Sequence, residues 1–79
     1  MKDRILGILE EIRPENDFRH SADFIAEGLL DSFDIVQLVD MLDQEFGISV
    51  DGLDILPENF RNADKIVELL HKNGVPNET

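Results

Sequence analysis

No cysteine occurs among the 79 residues. That excludes a disulfide-stapled fold, thiolate chemistry and any cysteine-based metal site. Cations are scarce: Lys and Arg total 7 against 18 Asp and Glu, a net charge of −11. Nucleic acid is excluded as a partner, because binding it takes Lys and Arg to displace counterions. An anionic membrane surface is disfavoured on the same ground. The longest uninterrupted apolar runs are a few residues, so no stable membrane insertion is expected. The opening MKDRILGILEEIR carries acids inside its apolar pattern and lacks a small-residue cleavage site, so it does not read as a signal peptide. The expectation is a cytoplasmic, monomeric protein. Its acidity serves solubility, and it also suits partners with basic docking patches, drawn in by long-range attraction.

What is present is helical periodicity. The length makes one domain, residues 1–79, at the small end of what folds alone. At ~0.05–0.15 kcal/mol per residue its stability is about 4–12 kcal/mol. Ile5, Leu6, Ile8, Leu9 and Ile12 recur at helical spacing and predict a first helix over 2–13, closed by Pro14. Residues 14–31 read as a long connection. Phe18, Phe24, Ile25, Leu29 and Leu30 are too apolar for a free linker, so the loop is expected to be pinned to the core, with a short helical turn near Asp23–Ala26. A second helix over 32–46 carries Ile35, Leu38, Val39, Leu42 and Phe46 on one stripe, and Gly47 ends it.

Ile48, Val50, Leu53, Ile55 and Leu56 alternate with polar residues, but a lone strand has no partner. They predict an extended loop whose apolar residues cover helix ends. Pro57 opens a short helix over 57–61 with Phe60 as inward anchor, and Asn62 caps a last helix over 63–73. Residues 75–79 should fray. The fold class is all-α: a bundle of three main helices plus one short helix, with a long loop between the first two.

One stretch stands out, Glu27 to Phe46. Asp31 with Asp34 three residues on has the pattern of a capping box, with Asp at both positions. With Asp31 as cap, Ser32 occupies the first helical position and its hydroxyl is free of capping duty. Phe33, Val36 and Met41 fall outside the core stripe, and Phe33 lies roughly opposite its centre at 100° per residue. An exposed Phe beside an exposed Ser marks a surface that meets something. Against this stands the plain reading, a serine that merely starts a helix.

Ser32 has no catalytic base of its own. The two histidines are His20, in a polar loop, and His71, where a cation favours the end of the last helix. No G-x-S-x-G elbow is present, so a self-contained hydrolase is disfavoured and no catalytic residue is assigned. Asp51-Gly52-Leu53-Asp54 lacks the alternating ligands and terminal Glu of a calcium loop, so no metal site is expected. Asp34, Asp40, Asp43 and Glu45 form either an ordinary solvated face or, beside Phe33 and Val36, a docking face.

The run Leu30-Asp31-Ser32-Phe33, then Val36-Gln37-Leu38, then Leu42-Asp43-Gln44-Glu45-Phe46, resembles the acyl carrier protein family, with its D-S-[LF], V-x-L and L-E-x-x-F signature. The resemblance spans nearly the whole chain. It implies that Ser32 carries 4′-phosphopantetheine, attached by a phosphopantetheinyl transferase using coenzyme A. The arm's thiol would hold an acyl or aminoacyl group as a thioester. Partner enzymes would do the catalysis: an activating ligase, and an acyltransferase or ketosynthase. A phosphodiester also suits a helix N-terminus.

Asp31 and Asp34 would match the acids that basic partners recognise, and Phe33 and Val36 the apolar contacts beside the arm. Gln37 stands where common fatty-acid carriers have an acid, Asp40 where they have an apolar residue, and Phe33 where they have Leu. These three positions are where partner choice is expected to be written. The stretch Glu27 to Phe33 is closer to the D-alanyl carriers of cell-wall modification and to other specialised carriers. The implied function is a non-catalytic carrier in fatty-acid, polyketide or related biosynthesis, with a D-alanyl carrier as alternative. From another class, an unmodified acidic interaction module fits the same composition.

Overall fold

The computed structural model describes residues 1–76. Three α-helices carry the fold: α1 (Lys2–Ile12), α2 (Ser32–Phe46) and α3 (Ala63–Lys72). Two 3₁₀ turns, Gly52–Asp54 and Pro57–Phe60, lie between α2 and α3. No strand occurs among the described residues, so the architecture is all-helical. α1 and α3 each stop one residue short of the sequence expectation, and the short helix expected over 57–61 is a single 3₁₀ turn, Pro57–Phe60.

The apolar stripes meet in one core. Ile5 and Leu9 from α1, Leu38 and Leu42 from α2, and Ile66 and Leu70 from α3 are fully buried. α1 packs against both α2 and α3, while the turn Pro57–Phe60 bridges α2 and α3 with Phe60 sealed beneath it. The long connection contributes to the same core. Phe18 and Phe24 are buried edge to face, ring centres 5.2 Å apart, a geometry that aligns ring edge with ring face. The Asp23 carboxylate accepts the N–H groups of Ile25 and Ala26 at 3.0 and 2.9 Å and so winds a short turn. One oxygen of Glu27 takes the Ser21 hydroxyl and the N–H groups of Ala22 and Asp23.

The cap of α3 and the stop of α2 are as expected. The Asn62 side chain accepts from Lys65 N–H at 2.8 Å. Gly47 adopts φ 65°, and Gly47 and Ile48 both donate to the Asp43 carbonyl. A Cβ at that φ is disfavoured, which is why glycine ends α2.

Four expectations are corrected. Met41 is half-buried and packs on the core, because the side of α2 that faces α1 widens the buried stripe. Leu53 is 84 % exposed and covers no helix end, since the Asp51 carboxylate caps its N–H and turns the 3₁₀ segment outward. Leu56, 43 % exposed, meets the Pro57 turn through its backbone and not its side chain: it is the extended N-cap residue, and its carbonyl accepts the Asn59 N–H at 2.9 Å. Val75 is buried rather than frayed. Gly74, at φ 96°, lets Gly74 donate to His71 and Val75 to Leu70, a paired helix-end closure that folds an apolar residue back onto the helix. Residues 77–79 of the expected frayed tail lie outside the described residues.

Leu42→Ala should lower stability by about 2–5 kcal/mol, because the site is fully enclosed and collapses poorly. Phe33→Ala, at a residue 85 % exposed, should change it by no more than about 0.5 kcal/mol. Urea denaturation followed by circular dichroism separates the two. Equal costs would place Phe33 in the core.

Candidate functional site

The first turn of α2 is built by two acids that hold each other. Asp31, extended at φ −112°, ψ −177°, accepts the Asp34 N–H at 2.9 Å. The Asp34 carboxylate reaches back to the Asp31 N–H at 3.1 Å, completing the capping box. Two like charges in one turn are costly unless a cation joins them. Arg13 is that cation. Its Nε donates to both Asp34 oxygens, at 3.1 and 2.9 Å, and its Nη2 to Asp31 at 3.3 Å.

Asp34 is therefore a correction to the docking face. It is 5 % exposed, turned inward by its back-bond to Asp31 and by Arg13, and it offers no carboxylate to a partner. Pattern reasoning misses Arg13, because it acts across 21 positions of sequence. The one available signal is chemical: a capping box of two Asp demands a nearby cation, in a chain with few of them.

Ser32 sits at the first helical position, exposed, and its hydroxyl makes no hydrogen bond among the described residues. Backbone N–H groups there lack an intrahelical acceptor. Phe33 and Val36, 85 % and 65 % exposed, flank it on the surface of the same helix. Gln37 and Asp40 are exposed further along, with Gln44 donating to Asp40 at 3.0 Å. Ser32, Ile35, Val36, Ile55 and Pro57 line a small depression of about 210 Å³. A larger groove of about 570 Å³ between α1 and α2, bordered by Arg4, Gly7 and Met41, does not include Ser32.

Neither histidine equips Ser32 with a base. His20 is exposed and pairs with Asp17 at 2.7 Å, and His71 is exposed on the last turn of α3. Among the described residues no three metal-ligating side chains are grouped, and no helix is long and apolar enough to cross a membrane.

The first turn of α2 thus presents an exposed hydroxyl, unbonded among the described residues, beside an apolar depression. Residues 3–70 match the family model described as the phosphopantetheine attachment site. The chain belongs to the phosphopantetheine-binding carrier family. Two D-alanyl carrier proteins, from Lactococcus lactis subsp. cremoris strains MG1363 and SK11, are each 34 % identical to it over 68 residues. The alignment covers 84 % of this chain and 86 % of each relative. No solved structure gives a significant match.

Membership makes the chain a carrier protein and not an enzyme in its own right, served by a phosphopantetheinyl transferase and by enzymes that load or unload it. Its cofactor is covalent 4′-phosphopantetheine. The residues present fit that group. An accessible hydroxyl with no internal bond is free to be esterified, unpaired N–H groups favour an anion beside it, and Ile35, Val36, Ile55 and Pro57 offer an apolar bed.

The acids around this turn are pH-dependent in a defined sense. The Asp31 carboxyl lies below its ordinary 3.8, first through the Asp34 N–H and then through the Arg13 charge. Glu27 lies below its ordinary 4.5, through the Asp23 N–H and the Ser21 hydroxyl. A carboxyl depressed on folding contributes stability above its unfolded pKa and loses it as pH falls through its folded value. The melting-temperature advantage of wild type over Asp31→Asn should therefore be full above about pH 5 and shrink as the pH falls below the ordinary carboxylate range. Asn caps helices as well as Asp does, so the comparison isolates the charge. A difference independent of pH would refute this assignment.

Proposed function

We propose that Ser32 is the phosphopantetheine attachment residue of a single carrier domain and that the cargo is D-alanine. The observation that carries the attachment site is the unbonded, exposed hydroxyl of Ser32 inside the double-acid capping box. When bound, the arm supplies a thiol that holds the cargo as a thioester. This chain's residues then divide the remaining work. Asp31, Asp34 and Arg13 fix the turn that bears the arm, while Ile35, Val36, Ile55 and Pro57 shelter its base from water.

The cargo reading is supported by the likeness to D-alanyl carriers along most of both chains, and by the small volume, about 210 Å³, of the depression beside Ser32. It brings an adenylating D-alanine ligase and a D-alanyl acyltransferase as partners. Exposed Phe33 and Val36, with Asp31, Gln37 and Asp40 around them, form the surface we assign to their docking. The acyl-chain reading, with a ketosynthase as partner, keeps the same site and changes only what is loaded.

Incubation with a phosphopantetheinyl transferase and coenzyme A should add one phosphopantetheine to wild type, seen by intact mass, and nothing to Ser32→Ala. A gain that persists in Ser32→Ala would move the site elsewhere. No gain with several transferases would leave the unmodified interaction module as the better reading. The holo protein should then take D-alanine from a D-alanine ligase and ATP, as a hydroxylamine-labile adduct. Efficient loading with a fatty acid by an acyl ligase, and none with D-alanine, would overturn the cargo.

A further inference from the structure

We propose that Arg13 is a positioning residue for the attachment serine, holding the first turn of α2 in the geometry that presents Ser32 to its transferase. This rests on the reading of Ser32 as the attachment site. Capping boxes ordinarily pair a neutral Ser or Thr with Glu or Gln. Here both members are Asp, so the box that frames Ser32 carries two negative charges in one turn. The chain as a whole carries −11, so no surplus of cations is at hand to offset them.

Arg13 is itself anchored. It closes α1, with φ −135° and ψ 76°, and its N–H donates to the Leu9 carbonyl at 2.9 Å. The guanidinium thus starts from a fixed point on one helix and ends on the other. Its grip is graded: Nε binds the buried Asp34 at 2.9 and 3.1 Å, Nη2 the exposed Asp31 at 3.3 Å, and Nη1 lies 3.7 Å from Glu15. A few residues on, the Asn16 side-chain amide donates to the Leu29 carbonyl at 3.0 Å. Together these contacts close the neck of the long connection immediately before Ser32.

Nothing in the Ser32 side chain holds it in place, because its hydroxyl is unbonded among the described residues. Its position is inherited from Asp31 and Asp34, and theirs is shared with Arg13. Removing the guanidinium leaves two carboxylates of one turn facing each other, one of them buried. The turn then opens to admit water, and the serine moves with it. A displacement of about 1 Å suffices to slow a reaction severely.

The test pairs Arg13→Gln with a stabilising change remote from the site. Gly7 is exposed on α1, and a methyl group added there would meet nothing within 4 Å. Gly7→Ala therefore raises helix stability without touching Ser32. Initial rates of phosphopantetheine transfer, with kcat and KM for the carrier, are measured beside melting temperature and amide hydrogen exchange. Arg13→Gln should lower kcat/KM about 10-fold or more, chiefly in kcat, and speed exchange at Asp34 and Ile35. Arg13→Lys, which keeps the charge but not the forked geometry, should recover part of the rate.

Arg13→Gln combined with Gly7→Ala should regain melting temperature while the rate stays low. Recovery of the rate along with the melting temperature would show Arg13 to be merely structural and overturn the proposal. So would an unchanged rate in Arg13→Gln alone. Should Arg13→Gln fail to fold, a wild-type kcat in Arg13→Lys overturns it and a lowered kcat supports it. Modification that survives Ser32→Ala would instead sink the attachment site itself, so the two failures are told apart.

Discussion

A buried carboxylate at a helix start needs a cation, and in this chain the Arg13–Asp34 contact supplies it. That pairing holds the first turn of α2 together. It joins the end of α1 to the beginning of α2, so the helices are fixed relative to one another where the chain between them is longest. It permits two Asp residues to cap one helix. It turns Asp34 into the core and leaves Ser32, one step from Asp31, exposed and without a side-chain hydrogen bond among the described residues.

The hydrophobic core serves this end from the other side. Phe24 and Leu30 are buried, and the Phe24 N–H donates to the Arg61 carbonyl in the segment before α3. The long connection is thereby fastened along its length, so the last residues before Ser32 arrive in a set direction. The turn Pro57–Phe60 completes the setting: Phe60 lies beneath, while Pro57 and Ile55 form the far wall of the depression next to Ser32. Carrier function requires little more than this, since catalysis resides in the partners.

The sequence is most informative where the governing interaction is local. The stripes of α1, α2 and α3, the capping box at Asp31, the cap at Asn62 and the glycine stop at Gly47 all rest on contacts within one or two turns. The exposed Phe33 and Val36 are legible for the same reason, as misfits on a regular wheel. What escapes is long-range or depends on backbone sign. Arg13 finds its acid only after the connection folds. Asp34 reads as surface from its charge, although a box member is committed to its partner. Val75 reads as tail until Gly74 is known to be left-handed, and Leu53 follows an alternation that the 3₁₀ turn does not honour.

Among the described residues, six of the seven Lys and Arg side chains have a carboxylate within 4 Å, several joining different elements: Lys2 to Asp64, Arg4 to Glu45, Arg13 to Asp34, Lys72 to Asp54. The scarce positive charge is spent holding the fold, and the surplus of negative charge is left on the outside. The two populations answer differently to ionic strength. Added salt screens the diffuse repulsion of the surplus within about 8 Å at physiological concentration, while the short, partly buried contact at Asp34 is screened much less. Salt thus relaxes the mutual repulsion of the surface acids and leaves the clasp between α1 and α2 largely in place.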